Sequence, residues 1–383
     1  MYSWFNMHIL ILYSFFNQRE LMHHFSLELD KYDIKADILC FSNLRLEKVS
    51  SIKWPKQIEY YFTLLESLQT SWISRAFRKL LDRFFLKKLI SVYDLVDFHA
   101  YYPYYNNLMR ECIRAHIKFD ITLWGSDLMR ATKERKESQR YGFDNCYRIK
   151  LSDNLFDTMK QSYGNDYEEK CRIVYFGNND LAYIDNLADS ESIEIMHTLY
   201  GEICSKKILV LGYNGISSQN HDKMIEALQE LSPEEKDSLH VVLPMTYGAK
   251  SEYLQKVEQS LMRTNVSYTI LNKFLNIEQV AALRKTADIV VNIQNTDAIA
   301  ASLQDHLYCG NVCIFGEWLN YRVYDDNNIF YIKTSMDDIA LHIKDVLHNY
   351  PAYKDSCIGN HNKIRELFSW ESNIQKQVAV YAE

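Results

Sequence analysis

Short apolar runs alternate with helical patterns along almost the whole chain, and this alternation restricts the fold more than any other feature of the sequence. Short apolar runs bounded by turn residues are typical of buried parallel strands. The helical patterns between them are typical of the crossover helices that join such strands. The sequence therefore predicts an α/β protein with helices layered on parallel sheets.

The alternation occurs in two series. In the first half, strands are predicted at residues 7–13, 36–41, 95–99, 119–123, 147–151 and 171–175. A polar stretch at 176–205 has no clear strand, and we interpret it as a connection. The second series has predicted strands at 207–211, 240–243, 267–271, 289–293 and 312–315. We predict two doubly wound, Rossmann-like domains facing one cleft, at residues 1–190 and 205–350, with a helical segment at 360–383 that packs back on the first.

Composition agrees with two such domains. The chain has 383 residues, and one domain usually takes about 150. Hydrophobic residues make up 47% and charged residues 24%, which excludes a disordered chain. There are only 11 glycines and 5 prolines, so a collagen-like or linker-rich protein is excluded as well. Any nucleotide-binding turn in this chain must therefore use few glycines.

The cysteines and the N-terminus bear on the cellular compartment. The eight cysteines include no CxxC pair, and Cys309 and Cys313 flank Gly310 in an apolar stretch. This distribution favours buried thiols and predicts a reducing, cytoplasmic location. The apolar N-terminus has no basic residue before Arg19 and is too short to span a bilayer, so we interpret it as the first strand.

Charge is distributed unevenly. Residues 1–190 carry 26 basic and 25 acidic side chains, and the remainder carries 17 and 25. Residues 71–90 contain six basic side chains against Asp82 alone, around apolar positions at helical spacing. Two interpretations stay open: an ordinary surface helix, or a face that rests on an anionic membrane near a lipid-phosphate acceptor. A single basic helix on a chain of net charge −7 argues against a nucleic-acid partner.

Ligands of open α/β sheets bind where strands end and loops lead into helices, so these turns hold the candidate site residues. The first turn of the second domain, GYNGISSQNH (212–221), has Gly212, where a ligand can approach the backbone closely. It also offers neutral polar groups near a helix start, from Asn214, Gln219, Asn220 and His221. The turn lacks the lysine of a P-loop and the spacing of a dinucleotide fingerprint. A plain turn with an asparagine cap is the alternative.

The next strand of the second domain ends in VVLPMTYG (241–248). Met245 and Tyr247 lie in the loop that follows it. Tyr247 would either stack on a sugar or base of a ligand or simply pack at the edge of the domain.

The most informative segment is DAIAASLQDHLYCG (297–310). Asp297 stands just before a predicted helix, and Asp305 follows eight residues later, about 2.2 turns on, so both carboxylates lie on one side of the axis. Free amides of the first turn, around Ser302, suit a diphosphate. Carboxylates accept charge-assisted hydrogen bonds from sugar and ribose hydroxyls. The plain alternative is a capping aspartate and a surface aspartate.

This arrangement of a strand, D-x7-D, LYCG and a buried strand resembles the E-x7-E segment of GT-B glycosyltransferases. In that family the second acidic residue stands five before a glycine, as Asp305 stands before Gly310. The resemblance implies that Asp297 touches the donor sugar, that Asp305 touches the ribose, and that Phe274 lies near the nucleotide base. VLPMTYG and the overall layout are most similar to the 4-acetamido-4,6-dideoxygalactose transferases of bacterial surface-glycan assembly.

The chain departs from that family in two respects. Both acidic residues are aspartates, one methylene shorter than glutamate. Many relatives place an arginine and a lysine after the first strand of this domain to neutralise the diphosphate, whereas Asn220 and His221 stand there in this chain. Phosphate binding would therefore depend on helix amides.

The resemblance assigns the acceptor side to the first domain. His99 stands at a strand end there, followed by a run of tyrosines, and Asp127 lies in the WGSDL turn (124–128) after the next strand, which resembles an HGxD-like turn of related enzymes. Either side chain has the chemistry to take a proton from an acceptor hydroxyl. The structural alternatives are a buried histidine at residue 99 and a helix cap at residue 127.

Together these inferences predict a metal-independent glycosyltransferase of the hexosyltransferase type. It would move a sugar from a nucleotide-sugar donor to a glycan or polyprenyl-linked acceptor in bacterial cell-surface polysaccharide synthesis. No cofactor and no metal are expected, since no DxD motif follows a strand. Two alternatives stay open. A sugar-nucleotide 2-epimerase of the same fold would need acidic and basic residues around the diphosphate, and a non-catalytic nucleotide-sugar-binding partner subunit would explain the missing arginine and lysine.

Overall fold

A computed structural model of the chain describes residues 7–13, 19–40, 45–47, 88–201 and 205–383. The predicted basic helix at 71–90 lies outside the described residues except for its last three positions. The chain divides into two compact units. Unit 1 contains the residues up to Gly177 together with Asn373–Glu383, and unit 2 is Asn178–Ser372.

Unit 1 is built on a seven-stranded sheet in the order β3-β2-β1-β4-β5-β6-β7. Its strands are β1 (Met7–Tyr13), β2 (Ile34–Cys40), β3 (Arg45–Glu47), β4 (Leu95–His99), β5 (Lys118–Thr122), β6 (Arg148–Leu151) and β7 (Cys171–Ile173). All neighbours are parallel except the short edge strand β3, which pairs antiparallel with β2. Every residue of β4 and of β6 is buried, as expected for a parallel sheet covered on both faces.

Helices connect these strands. They are α1 (Arg19–Asp30), α2 (Asn106–Ala115), α3 (Lys133–Asn145) and α4 (Asp153–Tyr163). Thr132 caps α3 by accepting a hydrogen bond from the Arg135 amide, and α2 ends at His116, which adopts a left-handed conformation.

Unit 2 is built on a six-stranded sheet in the order β10-β9-β8-β11-β12-β13, with all neighbours parallel. Its strands are β8 (Lys207–Leu211), β9 (Leu239–Pro244), β10 (Ser267–Leu271), β11 (Ile289–Asn292), β12 (Val312–Gly316) and β13 (Ile332–Thr334). The strand order reverses between β8 and β11. In doubly wound sheets the ligand binds beyond the carboxyl ends of the strands at this switch point.

The helices of unit 2 cover both faces of its sheet. In chain order they are α5 (Asp180–Asn186), α6 (Asp189–Tyr200), α7 (His221–Gln229), α8 (Pro233–Asp237), α9 (Ser251–Met262), α10 (Ile277–Thr286), α11 (Ala301–Tyr308), α12 (Arg322–Asp326), α13 (Ile339–His348), α14 (Tyr350–Cys357), α15 (Asn360–Phe368) and α16 (Trp370–Tyr381), of which α16 continues into unit 1.

The fold class agrees with the prediction, but the stretch at 176–205 agrees only in part. Its described residues contain no strand, as expected, but the stretch is more than a connection because it contains α5 and α6. Their few apolar residues recur at helical spacing, with Leu181 and Ile184 buried on α5 and Met196 buried on α6. Lys285 of α10 contacts the turn between the two helices, where its Nζ donates a hydrogen bond to the carbonyl of Leu187 at 2.6 Å. Strand β13 is a further element that the pattern does not predict.

The C-terminal region also differs in detail. The helical pattern that ends at Tyr381 is two helices, because Ser369 is extended and its hydroxyl accepts a hydrogen bond from the amide of Ser372. Residues 360–372 belong to unit 2, whereas 373–383 pack in unit 1. There the Tyr147 hydroxyl donates to the carbonyl of Glu383. The first unit ends at Gly177, and the predicted domain boundary at 190 differs from this because α5 and α6 belong to unit 2.

Two further findings concern the described part of the chain. None of its helices combines the length and the apolar character that are needed to cross a bilayer. Six cysteines of this part are free thiols, at positions 112, 146, 171, 309, 313 and 357.

Candidate functional site

The turn after β8 lies at the switch point of unit 2 and depends on Gly212. Its φ is +67°, a conformation that favours glycine, and its amide donates to the carbonyl of Val291 on β11 at 2.9 Å. A Cβ atom here would lie 2.9 Å from Oε1 of Gln219 and 3.2 Å from Nε2 of His221. The glycine therefore lets two polar side chains pack directly under the turn.

Five polar side chains join the loops that follow β8, β11 and β12, and we call them the switch-point network: Tyr213, Gln219, Gln294, Asp297 and Tyr321. The Gln219 amide donates to Oε1 of Gln294 at 2.9 Å, and the Tyr213 hydroxyl lies 3.0 Å from the same oxygen. The Tyr213 hydroxyl is also 3.3 Å from Oδ1 of Asp297, and the Tyr321 hydroxyl donates to Oδ2 at 2.8 Å. The network contains one carboxyl group and no lysine or arginine.

Asp297, one of the two predicted acidic residues, is buried at the centre of this network. Burial raises the pKa of its carboxyl group, while hydrogen bonds from the amide of Ala300 and the Tyr321 hydroxyl act in the opposite direction. The Ala300 amide donates to Oδ2 at 3.0 Å, one residue before α11 begins. Asp297 therefore fixes the loop that leads into this helix.

That loop carries a strained residue. Ile299 has a φ of +62°, which is unusual for a β-branched side chain. Its carbonyl accepts a hydrogen bond from the side chain of Gln304 at 3.1 Å. Strained residues of this kind concentrate at functional sites, where the surrounding structure holds them. The first turn of α11, which includes the half-buried Ser302, follows directly. The N-cap residue Ala300 makes no side-chain hydrogen bond to the amides of this turn.

Three buried polar atoms near the switch point have no hydrogen-bond partner among the described residues: Nε2 of His221, Oδ1 of Asn292 and Nε2 of Gln294. Each side chain is at most 1% exposed. Buried polar atoms normally find a partner in the protein or in water, so these three atoms are candidates for contact with a ligand or a bound water. Burial also lowers the pKa of His221 to about 4, so its imidazole is neutral at pH 7.

Asp305 occupies a different environment from Asp297. It is fully buried, its Oδ1 accepts a hydrogen bond from Asn178 at 2.7 Å, and its Oδ2 lies 3.5 Å from Nε of Arg284. Burial raises the pKa of the Asp305 carboxyl well above its usual range, and the charge of Asp180 acts in the same direction. These contacts are those of an internal anchor for α11, and the ribose contact stays a prediction.

The remaining predicted residues of unit 2 fall into three groups. Asn214 and Asn220 shape the turn: Asn214 accepts from the amide of Ile216, and Asn220, at a φ of +60°, donates to the carbonyl of Ile293 at 2.7 Å. Met245 is buried in the core. Tyr247 and Phe274 are 46% and 81% exposed, so both rings are accessible to a ligand.

The structure places the predicted catalytic residues of unit 1 inside the protein. The carboxyl group of Asp127 is fully buried and accepts hydrogen bonds from the amides of Tyr101, at 2.9 Å, and Trp124, at 3.0 Å. These contacts are those of a turn-capping residue. His99 is also fully buried, with Nε2 3.2 Å from Oδ2 of Asp97, and burial lowers the pKa of its imidazole. Their catalytic roles stay predictions.

Sequence reasoning missed a group of buried charges beside His99, which we call the buried charge cluster: Asp97, Asp120, Arg148, Lys150 and Tyr381. Lys150 forms an ion pair with Asp97, and the Tyr381 hydroxyl lies 2.6 Å from Nζ of Lys150 and 2.5 Å from Oδ2 of Asp97. Nε of Arg148 donates to both carboxylate oxygens of Asp120 at 3.1 Å. Burial raises the pKa of Asp120 to about 6, against the pull of Lys150 and Arg148.

Strand register explains the cluster. Asp97 pairs with Asp120 and Asp120 with Arg148 across β4, β5 and β6. Lys150 stands two residues after Arg148 and therefore projects from the same face of the sheet. Only the pairing of three separate strands, together with a helix from the end of the chain, brings these charges into contact.

Two other observations complete the description of unit 2. Among the residues that the structure describes, no group of three or more His, Cys, Asp or Glu side chains is arranged to hold a metal ion. A pocket of about 440 Å³ lies near α6 and α10, and its lining includes Lys206, Ile208 and Asp288. These residues stand at the amino ends of β8 and β11, so the pocket is at the edge of the sheet opposite to the switch point.

Sequence reasoning also missed most of the switch-point network. Gln219 was among the polar groups of the first turn, but Tyr213, Gln294 and Tyr321 were not singled out. The available signal was position, because Tyr213 follows Gly212 and Gln294 follows the buried strand β11. Tyr321 gave no such signal, since it reaches Asp297 from the loop after β12.

Comparison with known proteins gives a consistent result for the fold. No protein-family profile matches the sequence. An uncharacterised glycosyltransferase of Methanocaldococcus jannaschii is 23% identical over 246 residues, which span 62% of this chain and 60% of that protein. The crystal structure of HepE from Anabaena, in complex with UDP and glucose, aligns with a TM-score of 0.72 at 13% identity and covers 98% of this chain and 99% of its own.

Two further structures align over nearly the whole chain. A glycosyltransferase from Rickettsia africae has a TM-score of 0.73 at 14% identity and covers 98% of this chain and 97% of its own. Sucrose-phosphate synthase from Thermosynechococcus elongatus has a TM-score of 0.64 at 11% identity, with 98% of both chains covered. The chain therefore has the GT-B fold of these glycosyltransferases, with a Rossmann-like sheet in each unit.

Proposed function

We propose that this protein is a glycosyltransferase that binds a nucleotide sugar at the switch point of unit 2. It would transfer the sugar to a glycan or polyprenyl-linked acceptor in bacterial surface-polysaccharide synthesis, on the cytoplasmic side of the membrane. The observation that carries the proposal is the switch-point network, in which hydroxyl, amide and carboxyl groups meet at the carboxyl edge of the sheet. The Anabaena protein of the same fold was crystallised with UDP-glucose, which supports a nucleotide sugar as the donor.

The network suits the sugar end of such a donor better than an isolated charge would. Sugar hydroxyls both donate and accept hydrogen bonds, and the network offers amide donors, amide acceptors and one carboxyl group. Asp297 has the further role of holding the Ala300 amide and thereby the start of α11. Amides in the first turn of a helix favour negative charge, so this turn, with Ser302, would take the diphosphate oxygens.

Unit 1 would bind the acceptor, and His99 is the stronger candidate for the base. Its imidazole is neutral because burial lowers its pKa, and a neutral imidazole can accept the proton of an acceptor hydroxyl. The carboxylate of Asp97, 3.2 Å from Nε2, would stabilise the imidazolium that forms. Asp127 is the weaker candidate, because backbone amides already occupy its carboxyl group.

The proposal is tested by measuring transfer directly. The purified protein is incubated with radiolabelled UDP-, GDP- and dTDP-sugars and a panel of glycan and polyprenyl-phosphate-linked acceptors, with and without EDTA. We expect transfer from one donor class, and we expect it to persist in EDTA. Absence of both binding and transfer for every donor would contradict the proposal, and loss of transfer in EDTA would contradict the metal-independent form of it.

A second candidate function is a non-catalytic nucleotide-sugar-binding subunit. The observation that favours it is the lack of lysine and arginine in the switch-point network, together with the full burial of Asp305 and Asp127. This candidate predicts tight binding of one nucleotide sugar with no transfer to any acceptor and no hydrolysis. Titration calorimetry with the same donors separates the two functions, because it measures binding independently of transfer.

A further inference from the structure

The loop that follows β12 carries a partly exposed tryptophan next to the switch-point network. Trp318 stands two residues after the end of β12, at the carboxyl edge of the sheet, and is 38% exposed. Tryptophan is highly buried on average, so a ring that stays partly open beside polar side chains at the strand ends is a candidate for ligand contact.

The indole is held in place from two sides. Its Nε1 donates a hydrogen bond to the backbone carbonyl of Gln294 at 2.9 Å. Its ring lies against Gly316, where a Cβ atom would come within 2.5 Å of Cζ2 and 2.7 Å of Cε2. The chain therefore has a glycine where a side chain would displace the ring, and a fixed acceptor for the ring nitrogen.

These two contacts attach the ring to the candidate site. Gln294 accepts hydrogen bonds through its side chain from the network and through its backbone from the indole. Tyr321, three residues after Trp318 on the same loop, donates to Asp297. The loop after β12 thus contacts the loop after β11 twice, and the indole stands beside the polar groups of the network with part of its surface uncovered.

We propose that Trp318 is a specificity-determining residue whose indole stacks on the sugar ring of the nucleotide-sugar donor. The inference rests on the proposed function and deepens it. A pyranose ring combines an apolar face of C–H groups with a rim of hydroxyls. A fixed aromatic surface beside hydrogen-bonding side chains matches both parts of such a ring. The network would bind the hydroxyls, and the indole would cover the apolar face.

The test separates the sugar from the rest of the donor. UDP-glucose, GDP-mannose and dTDP-glucose are titrated by calorimetry, each beside its sugar-free partner UDP, GDP or dTDP. For the nucleotide class that binds to the wild type, we expect Trp318→Ala to lower the affinity for the nucleotide sugar about tenfold. The affinity for the nucleoside diphosphate should be unchanged. Trp318→Phe keeps an aromatic face and should recover most of the loss. Tyr183→Ala, at another exposed aromatic residue, should match the wild type.

A second variant moves the ring without removing it. Gly316→Ala should displace the indole and lower the affinity for the nucleotide sugar as Trp318→Ala does. The affinity for the nucleoside diphosphate should again be unchanged. Gly359→Ala is the matched control, because its Cβ would lie 3.6 Å from the nearest atom, an ordinary contact with Lys363. An equal loss of affinity for the nucleotide sugar and for the sugar-free nucleotide would overturn the assignment of Trp318 to the sugar ring. Wild-type affinity in both Trp318→Ala and Gly316→Ala would overturn the proposal, whereas a wild type that binds no nucleotide sugar would contradict the proposed function itself.

Discussion

The two units bury polar groups in opposite ways. In unit 1 the buried charge cluster matches two acidic side chains with two basic ones, and nearly every charge is paired inside the sheet. In unit 2 the switch-point network has one carboxyl group and otherwise neutral partners, and unpaired polar atoms of His221, Asn292 and Gln294 lie around it.

The difference indicates that the buried charge cluster and the switch-point network have different roles. Ion pairs that are buried within a sheet specify how its strands and helices pack, and they neutralise one another. A neutral network at the strand ends, with strain at Ile299 and unpartnered donors and acceptors, is less complete in the absence of a ligand. We therefore expect substitutions of the two basic residues of the cluster, Arg148 and Lys150, to change stability, and substitutions in the network to change binding and turnover.

The largest expected effect is on stability, at Lys150. Lys150→Met removes the cation that is paired with Asp97, so the buried carboxylate of Asp97 loses its ion-pair partner. Removing one partner of a buried ion pair costs about 3–5 kcal/mol. Urea denaturation followed by circular dichroism measures the loss. Lys160→Met, which breaks an exposed ion pair with Glu168, is the control and should change stability by less than about 1 kcal/mol. Equal stability of the two variants would remove the contrast between buried and exposed pairs.

The next effect is a dependence of stability on pH. Burial lowers the pKa of His221 to about 4 in the folded protein, below the usual value of 6.5. The contribution of the neutral imidazole is therefore complete above pH 6.5 and is lost as the pH falls towards 4, about 3 kcal/mol in all. His221→Gln should lose less free energy of unfolding between pH 7 and pH 4 than the wild type does. His348→Gln, at an exposed position, should follow the wild type.

A third prediction concerns turnover at the network. Asp297→Asn keeps the size of the side chain but removes the carboxylate that accepts from Tyr321 and from the amide of Ala300. The loop before α11 would shift, and a displacement of about 1 Å can cost about 100-fold in kcat/KM. Stability should fall by only about 1–2 kcal/mol. Asp325→Asn, an exposed carboxyl group of unit 2 that is bonded to Lys333, is the control. A variant at Asp297 that keeps full kcat/KM would show that the network does not serve the reaction.

The smallest expected effect is at Phe274. Its ring is 81% exposed, so Phe274→Ala should change the free energy of unfolding by no more than about 0.5 kcal/mol. If the ring lies against the nucleotide base, the same variant should lower the affinity for the nucleoside diphosphate several-fold. Titration calorimetry with the sugar-free nucleotide makes the measurement. Unchanged affinity would remove Phe274 from the donor site and leave the base to other residues.

The fold could be predicted from the sequence because its signal is local. Strands β1, β4, β8 and β10 have the predicted bounds, since a continuous apolar run between turns marks a buried parallel strand. The stretch with α5 and α6 was missed because these helices bury few apolar residues and depend on Lys285 of α10 for their position. Such a dependence on another element is not visible in a local pattern.

The candidate site could be predicted only in part, for a related reason. The spacing of Asp297 and Asp305 was visible, but their burial was not, because Arg284 and Asn178 reach Asp305 from distant parts of the chain. Similarly, Gln219 and Gln294 meet only after β8 and β11 pair. The side chains that complete the site come from three loops, and no single segment indicates their contacts.

The central claim is that the switch point of unit 2 binds a nucleotide sugar through the network around Asp297. The most direct measurement is a thermal-shift titration of the wild type and the Asp297→Asn variant with UDP-, GDP- and dTDP-sugars, since a ligand raises the melting temperature according to its affinity and concentration. The account predicts that one class of nucleotide sugar raises the Tm of the wild type and raises that of the variant much less. No shift with any donor, or equal shifts in both proteins, would contradict it.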